Sequence, residues 1–354
     1  MSWLRWLLLF APVAIGLEHL APERHLLIFA AAALAILPLA GLLGHATEQL
    51  AARTGEGVGG LLNATFGNAA ELIIALAALR QGLYEVVKAS LAGSIVGNIL
   101  LVLGAAMFAG GLRHKEQQFN APGARSQATM LTLAAIALIL PAAYRLLVGA
   151  TGLGSVSVWI SIVLLLVYAA NLFFSLVTHR SLFVGSGGEE EPAHEGGGTV
   201  GRAILLLLAS TAAIAWMSEI LVGALEPAAL ELGLSDAFVG VFLVAILGNA
   251  AEHATAVTAA LKNRMELSLS IAIGSSVQVA LFVSPLLVLM SYALGPSPMD
   301  LAFSGGLTLI VLLAVLITGQ VAGDGRSDWL KGVQLLAVYV ILALVFFFAP
   351  APSS

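Results

Sequence analysis

The chain contains no cysteine, which excludes disulfides, thiolate metal ligands and cysteine nucleophiles. Charge is nearly as scarce: Asp, Glu, Lys and Arg make up 10% of the 354 residues, where a soluble domain carries about 25%. So few charged groups cannot cover a water-facing surface, and a soluble globular protein is excluded. The formal charge of -5 is mild and gives no footing for a nucleic-acid partner. What fills the chain is apolar. Hydrophobic residues reach 60% and the mean hydropathy is +1.01. A polytopic, all-α membrane protein follows, because backbone polar groups in lipid must be satisfied within each segment.

A membrane-spanning helix needs about 20 mostly apolar residues. Runs bounded by Gly, Pro or charge give eleven candidate spans, near 3–20, 25–44, 58–81, 84–111, 124–147, 155–179, 200–224, 236–262, 266–294, 300–320 and 329–349. The first resembles a signal peptide in its one Arg and apolar core. It lacks a small-x-small cleavage pattern and is interrupted at Ala11-Pro12, so it is read as a retained helix. With the N-terminus on the cytoplasmic side, eleven basic residues fall on that side: Arg5, Arg53, Arg113, Lys115, Arg125, Arg180, Arg202, Lys262, Arg264, Arg326 and Lys331. Only Arg24, Arg80, Lys88 and Arg145 fall on the other. That bias fits the positive-inside rule and an odd number of spans.

The one conspicuous linker is GSGGEEEPAHEGGG, residues 185–198. Its glycines and its carboxylates Glu189, Glu190, Glu191 and Glu195 read as a solvated cytoplasmic connector. The expected organisation is an extra N-terminal helix (1–24), a five-helix unit (25–179), the acidic linker (180–199), a second five-helix unit (200–349) and a short tail (350–354).

The pentapeptide GNAAE occurs twice, at 67–71 and 248–252. The spacing of 181 residues also relates Glu85 to Glu266, Gly93-Ser94 to Gly274-Ser275, and Val96 to Val277. Aligned without gaps, 67–98 and 248–279 share 11 of 32 residues, and the matched Asn, Glu and Ser are not a product of Ala and Gly abundance. The two units therefore read as a duplication. Five spans is an odd number, so the second unit crosses the bilayer in the opposite sense and the units are inverted repeats. Such folds place their site near the midplane, where the repeats meet.

On a helix, Asn68 and Glu71 share a face, as do Asn249 and Glu252. Small residues surround them, and Gly67 and Gly248 are placed to loosen the helix and free carbonyl oxygens. Ser94, Asn98, Ser275, Ser276 and Gln278 add oxygens from the following spans. Two carboxylates, several amides and hydroxyls, and no sulfur form a hard-cation inventory. Calcium takes 6–8 oxygen ligands in flexible geometry, as a rule. Magnesium holds its water too tightly for such a site, and zinc favours imidazole or thiolate. His253 follows Glu252 directly and so points to another face, as a gate or proton-relay residue. A charged residue at a helix centre costs about 2.5–3.5 kcal/mol to insert. Placing two at matched positions argues for function over packing.

Without a counter-cation, a buried carboxyl group favours its neutral form, and a divalent ion reverses that balance. The site holds metal or protons. At an alternately exposed site such competition couples counter-transport, with at least two protons per divalent ion. An intramembrane hydrolase is disfavoured, since neither motif contains Asp or an activated nucleophile. A passive channel would conduct without moving protons.

The chain resembles the Ca2+/H+ exchanger (CAX) family of the calcium/cation antiporter superfamily. The matching stretches are NATFGNAAELIIA (63–75), GSIVGNILLVLG (93–104), GGLRHKEQQFN (110–120), GNAAEHATAV (248–257) and IAIGSSVQVALFVSPLLVL (271–289). The resemblance implies that Glu71 and Glu252 bind the cation and carry protons. It implies supporting roles for Asn68, Asn249, Gln278 and the Gly-Ser region of the following helices. The expected activity is export of cytoplasmic Ca2+ in exchange for H+, without enzymatic chemistry or a cofactor, since Ca2+ is the cargo. Alternatives on the same fold are Na+/Ca2+ or K+/H+ exchange. The partners are Ca2+, H+ and the lipid bilayer of a bacterial or archaeal inner membrane, with a homo-oligomer left open.

Overall fold

The computed structural model describes residues 3–54, 56–179 and 200–349; the acidic linker with Glu189 to Glu195 lies outside the described residues. Among these, nine helices are long and apolar enough to cross a membrane. They are α2 (His25–Thr54), α5 (Tyr84–His114), α6 (Ala121–Val148), α7 (Leu153–Thr178), α8 (Val200–Gly223), α10 (Asp236–Leu261), α11 (Met265–Leu294), α12 (Gly305–Gly323) and α13 (Trp329–Phe348). Four shorter helices complete the set: α1 (Trp6–Leu20), α3 (Glu56–Phe66), α4 (Ala69–Arg80) and α9 (Leu225–Leu232). The protein is an integral membrane protein.

The stretch expected as one span at 58–81 is two helices. α3 ends at Phe66 and α4 begins at Ala69. Between them Asn68 has φ -97° and ψ 21°. The matching stretch around Gly248 stays helical throughout α10. Of the two glycines expected to loosen a helix, only Gly67 does so. Two further boundaries differ. α2 runs ten residues past 44, and α12 starts at Gly305 rather than 300, because Met299, Leu301, Ala302 and Phe303 are buried in a non-helical connection.

α5 and α11 each carry a π-helical turn, at Gly97–Val102 and Val279–Val283. Their wider hydrogen bonds run from Leu103 N to Asn98 O and from Ser284 N to Val279 O. Such turns widen a helix by one residue and often mark functional positions.

Packing divides into two clusters. One gathers α5, α6, α11 and α12 with parts of α4, α7, α10 and α13, around Leu91, Ile95, Leu103, Leu281 and Leu287. The other gathers α1, α2, α8 and α9 with single faces of α4 and α10, around Ile36, Leu43, Ile214 and Leu221. In lipid, apolar burial gives little net drive, and close fit between small residues does the work. The alanines Ala31, Ala32, Ala33 and Ala35 of α2 are all buried in this second cluster. Gly93 of α5 packs directly on the Val241 backbone of α10, and Gly240 of α10 packs on Ala89 of α5. A side chain at either glycine would force the two helices apart.

Candidate functional site: two glutamates on reciprocal glycines

α4 and α10 bring the two motifs together. A Cβ at Gly67 would lie 3.7 Å from Glu252 Oε1, and one at Gly248 would lie 3.3 Å from Glu71 Cβ. Each glutamate therefore packs on the glycine of the other motif. The Glu71 residue is 4% exposed. Neither Glu71 Oε1 nor Oε2 has a hydrogen-bond partner, nor does Glu252 Oε2. Ser94 and Asn249 lie beside the Glu71 carboxyl and Ser275 beside that of Glu252, while Asn249 and Ser275 turn their donors to other partners.

Those donors are engaged across the motifs. Asn249 Nδ2 donates to Ser94 Oγ at 3.0 Å and to Ala245 O at 3.0 Å. At the matching pair the direction is reversed, and Ser275 Oγ donates to Asn68 Oδ1 at 2.9 Å. Each asparagine thus joins the serine of the opposite α5 or α11. Beyond this matched core the network is one-sided. Asn68 Nδ2 donates to Gln278 Oε1, and Asn98 Nδ2 donates to Ser275 Oγ at 3.1 Å. His253 Nε2 lies 3.2 Å from Asn98 Oδ1, and since that oxygen only accepts, the ring nitrogen donates. His253 thus faces Asn98 and not a carboxylate. Ser276 stands apart, its hydroxyl donating to the Ala272 carbonyl at 2.9 Å.

A cavity of about 630 Å³ reaches the site from one end of the bundle. Glu252, Gln278, Ser275, Gly67 and Gly248 line it; Glu71 does not. Glu48, Asn63, Gln127 and Asn171 also line it, and Glu48 and Glu252 are its only acidic or basic residues among the described ones. None of those four was picked out from the sequence. Glu48 belongs to the part of α2 beyond the expected span, and the others lie outside the duplicated window. The helical spacing of Ala40, Gly44 and Glu48 was the signal available for Glu48.

Buried carboxyl oxygens without donors are costly as anions. They are relieved by a proton or by a cation, and the surrounding amide and hydroxyl oxygens suit a hard cation. Among the described residues no group of three or more His, Cys, Asp or Glu could hold a metal ion. Any cation here rests on two acids and neutral oxygens, a set better suited to passage than to permanent retention.

The sodium/calcium exchanger protein family model matches residues 24–177 and 202–348. The chain is 47% identical to the Ca2+/H+ antiporter of Synechocystis sp., over 97% of this chain and 96% of the relative. It is 44% identical to the Ca2+/H+ antiporter ChaA of Bacillus subtilis, over 90% and 92%. It superposes on the solved structure of native YfkE with a TM-score of 0.85 at 38% identity, covering 98% of this chain and 100% of that one.

Proposed function

We propose that this chain, which belongs to the sodium/calcium exchanger protein family, is a Ca2+/H+ antiporter that exports cytoplasmic Ca2+ in exchange for protons. The observation that carries the reading is the reciprocal packing of Glu71 on Gly248 and Glu252 on Gly67, with carboxyl oxygens left without donors. Relatives named as Ca2+/H+ antiporters along nearly the whole length support the choice of ion. Glu71 and Glu252 bind Ca2+ and carry the protons; Asn68, Asn249, Ser94, Ser275 and Gln278 supply or orient the neutral oxygens. Gly67 and Gly248 make room for the carboxylates. The chemistry is transport, not enzymatic catalysis.

The architecture we infer is eleven spans, with α1 first and α3 with α4 forming the third, arranged as inverted repeats over 25–179 and 200–349. The matched π turns of α5 and α11 and the crossed Asn–Ser pairs support it. The end contacts support the alternation of sides. At one end Glu116–Gln118 (β1) pairs antiparallel with Arg326–Asp328 (β2), and Gln117 reaches Ala260 O. At the other end Arg80 meets Glu219 and Lys88 meets Asp300. With the positive-rich end cytoplasmic, the cavity opens inward, in a bacterial or archaeal inner membrane. Alternating access then carries the site from this inward-open form to an outward-open one.

The test is Ca2+ uptake into sealed vesicles under a pH gradient, with Na+ and K+ gradients as separate arms. Collapse of the proton gradient is expected to stop uptake, while Na+ and K+ gradients drive none. Uptake driven by Na+ would replace this reading with Na+/Ca2+ exchange. Because Ca2+ and protons compete for the same carboxyls, Ca2+ affinity weakens as pH falls, and Ca2+ binding releases protons. An affinity independent of pH would remove the coupling.

A further inference from the structure

The connections that leave α5 and α11 each dock on the other's hairpin. Segment 114–118 leaves α5 and covers the turn between α10 and α11. Gln117, 1% exposed, donates through Nε2 to Ala260 O at 2.9 Å and to Asn263 Oδ1 at 3.0 Å. His114 Nε2 donates to Leu261 O at 2.9 Å. Gly110 leaves the space that the Gln117 side chain occupies. Segment 295–304 leaves α11 and covers the turn between α4 and α5. There Tyr84 holds Ser297 through both its carbonyl and, at 2.8 Å, its N–H. Lys88 Nζ donates to Asp300 Oδ1 at 2.8 Å and to Ala302 O at 3.1 Å. Pro296 rests against Gly82.

The two covered turns correspond. Gly82 and Asn263 are 181 residues apart and both are left-handed, with φ of 79° and 60°. Asparagine tolerates that conformation better than most residues, and here its side chain is also the acceptor for Gln117. The chemistry of the two attachments differs. One is built of amide and imidazole donors on the α10-end carbonyls Ala260 O and Leu261 O and on Asn263 Oδ1. The other is built on a buried ammonium paired with a carboxylate. Lys88 is 3% exposed, and removing one member of such a pair leaves an expensive charge.

We propose that these attachments are clasps, and that Gln117 and Lys88 are positioning residues for the exchange site. The α4–α5 and α10–α11 hairpins carry Glu71, Ser94, Asn98, Glu252, Ser275 and Gln278. Tied at both ends of the bundle, the hairpins behave as one body, and the spacing between Glu71 and Glu252 stays fixed while access alternates. The inference rests on the antiport reading, and the wild-type protein under the same pH gradient reports on that reading separately.

The test uses the cysteine-free chain as a ready background. Gln117→Cys with Asn263→Cys removes the inner clasp while the thiols are free, and a short bismaleimide restores it covalently. In proteoliposomes the unlinked double variant is expected to show a KM for Ca2+ raised about tenfold, the loss expected from two buried hydrogen bonds. Turnover at saturating Ca2+ is expected to fall less than about twofold. Linking is expected to return KM to the wild-type value with transport intact. At the outer clasp, Lys88→Met is expected to raise KM, and the exchanged pair Lys88→Asp with Asp300→Lys to recover part of it. A cross-linked protein that binds Ca2+ but no longer transports would show that the clasp opens in the cycle and overturn the proposal. An unlinked variant that melts earlier but keeps a wild-type KM would equally overturn it, since the clasp would then serve the fold alone.

Discussion

The two GNAAE copies share every residue and differ in structure. Glu71 lies in the first turn of α4, just after the break at Gly67 and Asn68, where the helix N-terminus favours negative charge. Glu252 lies inside the continuous α10, with no helix end beside it. Glu252 lines the cavity; Glu71 is sealed behind it. The neutral partners diverge as well. Counting by the 181-residue offset, Asn98 corresponds to Val279, Gln278 to Gly97 and His253 to Leu72. A symmetric pair of acids thus sits in an asymmetric polar setting. The repeated motif supplies the two acids, and the differing surroundings let them differ in how they are reached and relieved.

The largest expected effect asks whether both acids are needed despite that difference. Glu71→Gln and Glu252→Gln keep shape but cannot ionise, and each should reduce proton-driven Ca2+ uptake to the level of protein-free vesicles. Near-normal uptake by either variant would leave a one-carboxylate site. Next come the glycines. A Cβ at Gly67 would sit 2.7 Å from Asn63 O, a backbone atom, whereas one at Gly248 would sit 3.3 Å from Glu71 Cβ. Gly67→Ala should therefore be the more damaging, with overpacking of about 1–3 kcal/mol, read as thermal stability in detergent together with uptake. Equal losses would mean that the broken and continuous helices are equally tolerant.

Asn98→Val gives the first half the residue found at the matching place in the second. It strips His253 of its acceptor and Ser275 of a donor. A destabilisation of about 1–3 kcal/mol is expected for groups left unsatisfied, seen as a lower melting temperature and slower transport. Unchanged behaviour would make the one-sided network incidental. The smallest effect lies at the surface, where Asp324 Oδ2 accepts from Lys331 Nζ at 2.6 Å. That hydrogen bond, with the lysine charge, holds the Asp324 carboxyl below the usual carboxylate range. Its contribution is present above the unfolded carboxylate pKa and is lost as pH falls through the folded value. The pair is solvated, so Lys331→Ala should shift the melting temperature by less than about 1 °C at physiological salt. A larger shift would give this connection a structural weight that its exposure does not predict.

Much of this was legible in sequence because lipid leaves few alternatives. Long apolar runs had to be helices, and α8, α10, α11 and α13 fall within a few residues of their expected bounds. The convergence of Glu71, Asn68 and Ser94 with Glu252, Asn249 and Ser275 was legible because they recur at a fixed offset. A break at the motif glycines was legible, but not that it would occur at Gly67 alone, since the same five residues remain helical at 248–252; tertiary context decides between them, not local propensity. Hydropathy misplaced the start of α12, because apolar residues that fill a buried connection look like those of a span. It also cut α2 short, where His45 and Glu48 are exposed while Ala46 and Thr47 between them are buried. Asn98 was noticed as an oxygen source, but its link to His253 joins residues 155 apart with no matching pair in the other half.

The reciprocal glycines have a consequence for how the halves depend on each other. Gly67 makes room for Glu252, and Gly248 for Glu71, so neither half holds a finished pocket for its own acid. Either half alone supplies half of each contact, and only the other half completes them. A change in one half is thus felt by the other: a side chain at 67 would touch an acid 185 positions away, besides crowding Asn63 O in its own half. The two pentapeptides are thereby bound to a common fate, while Asn98, Gln278 and His253 have no polar counterpart in the other half.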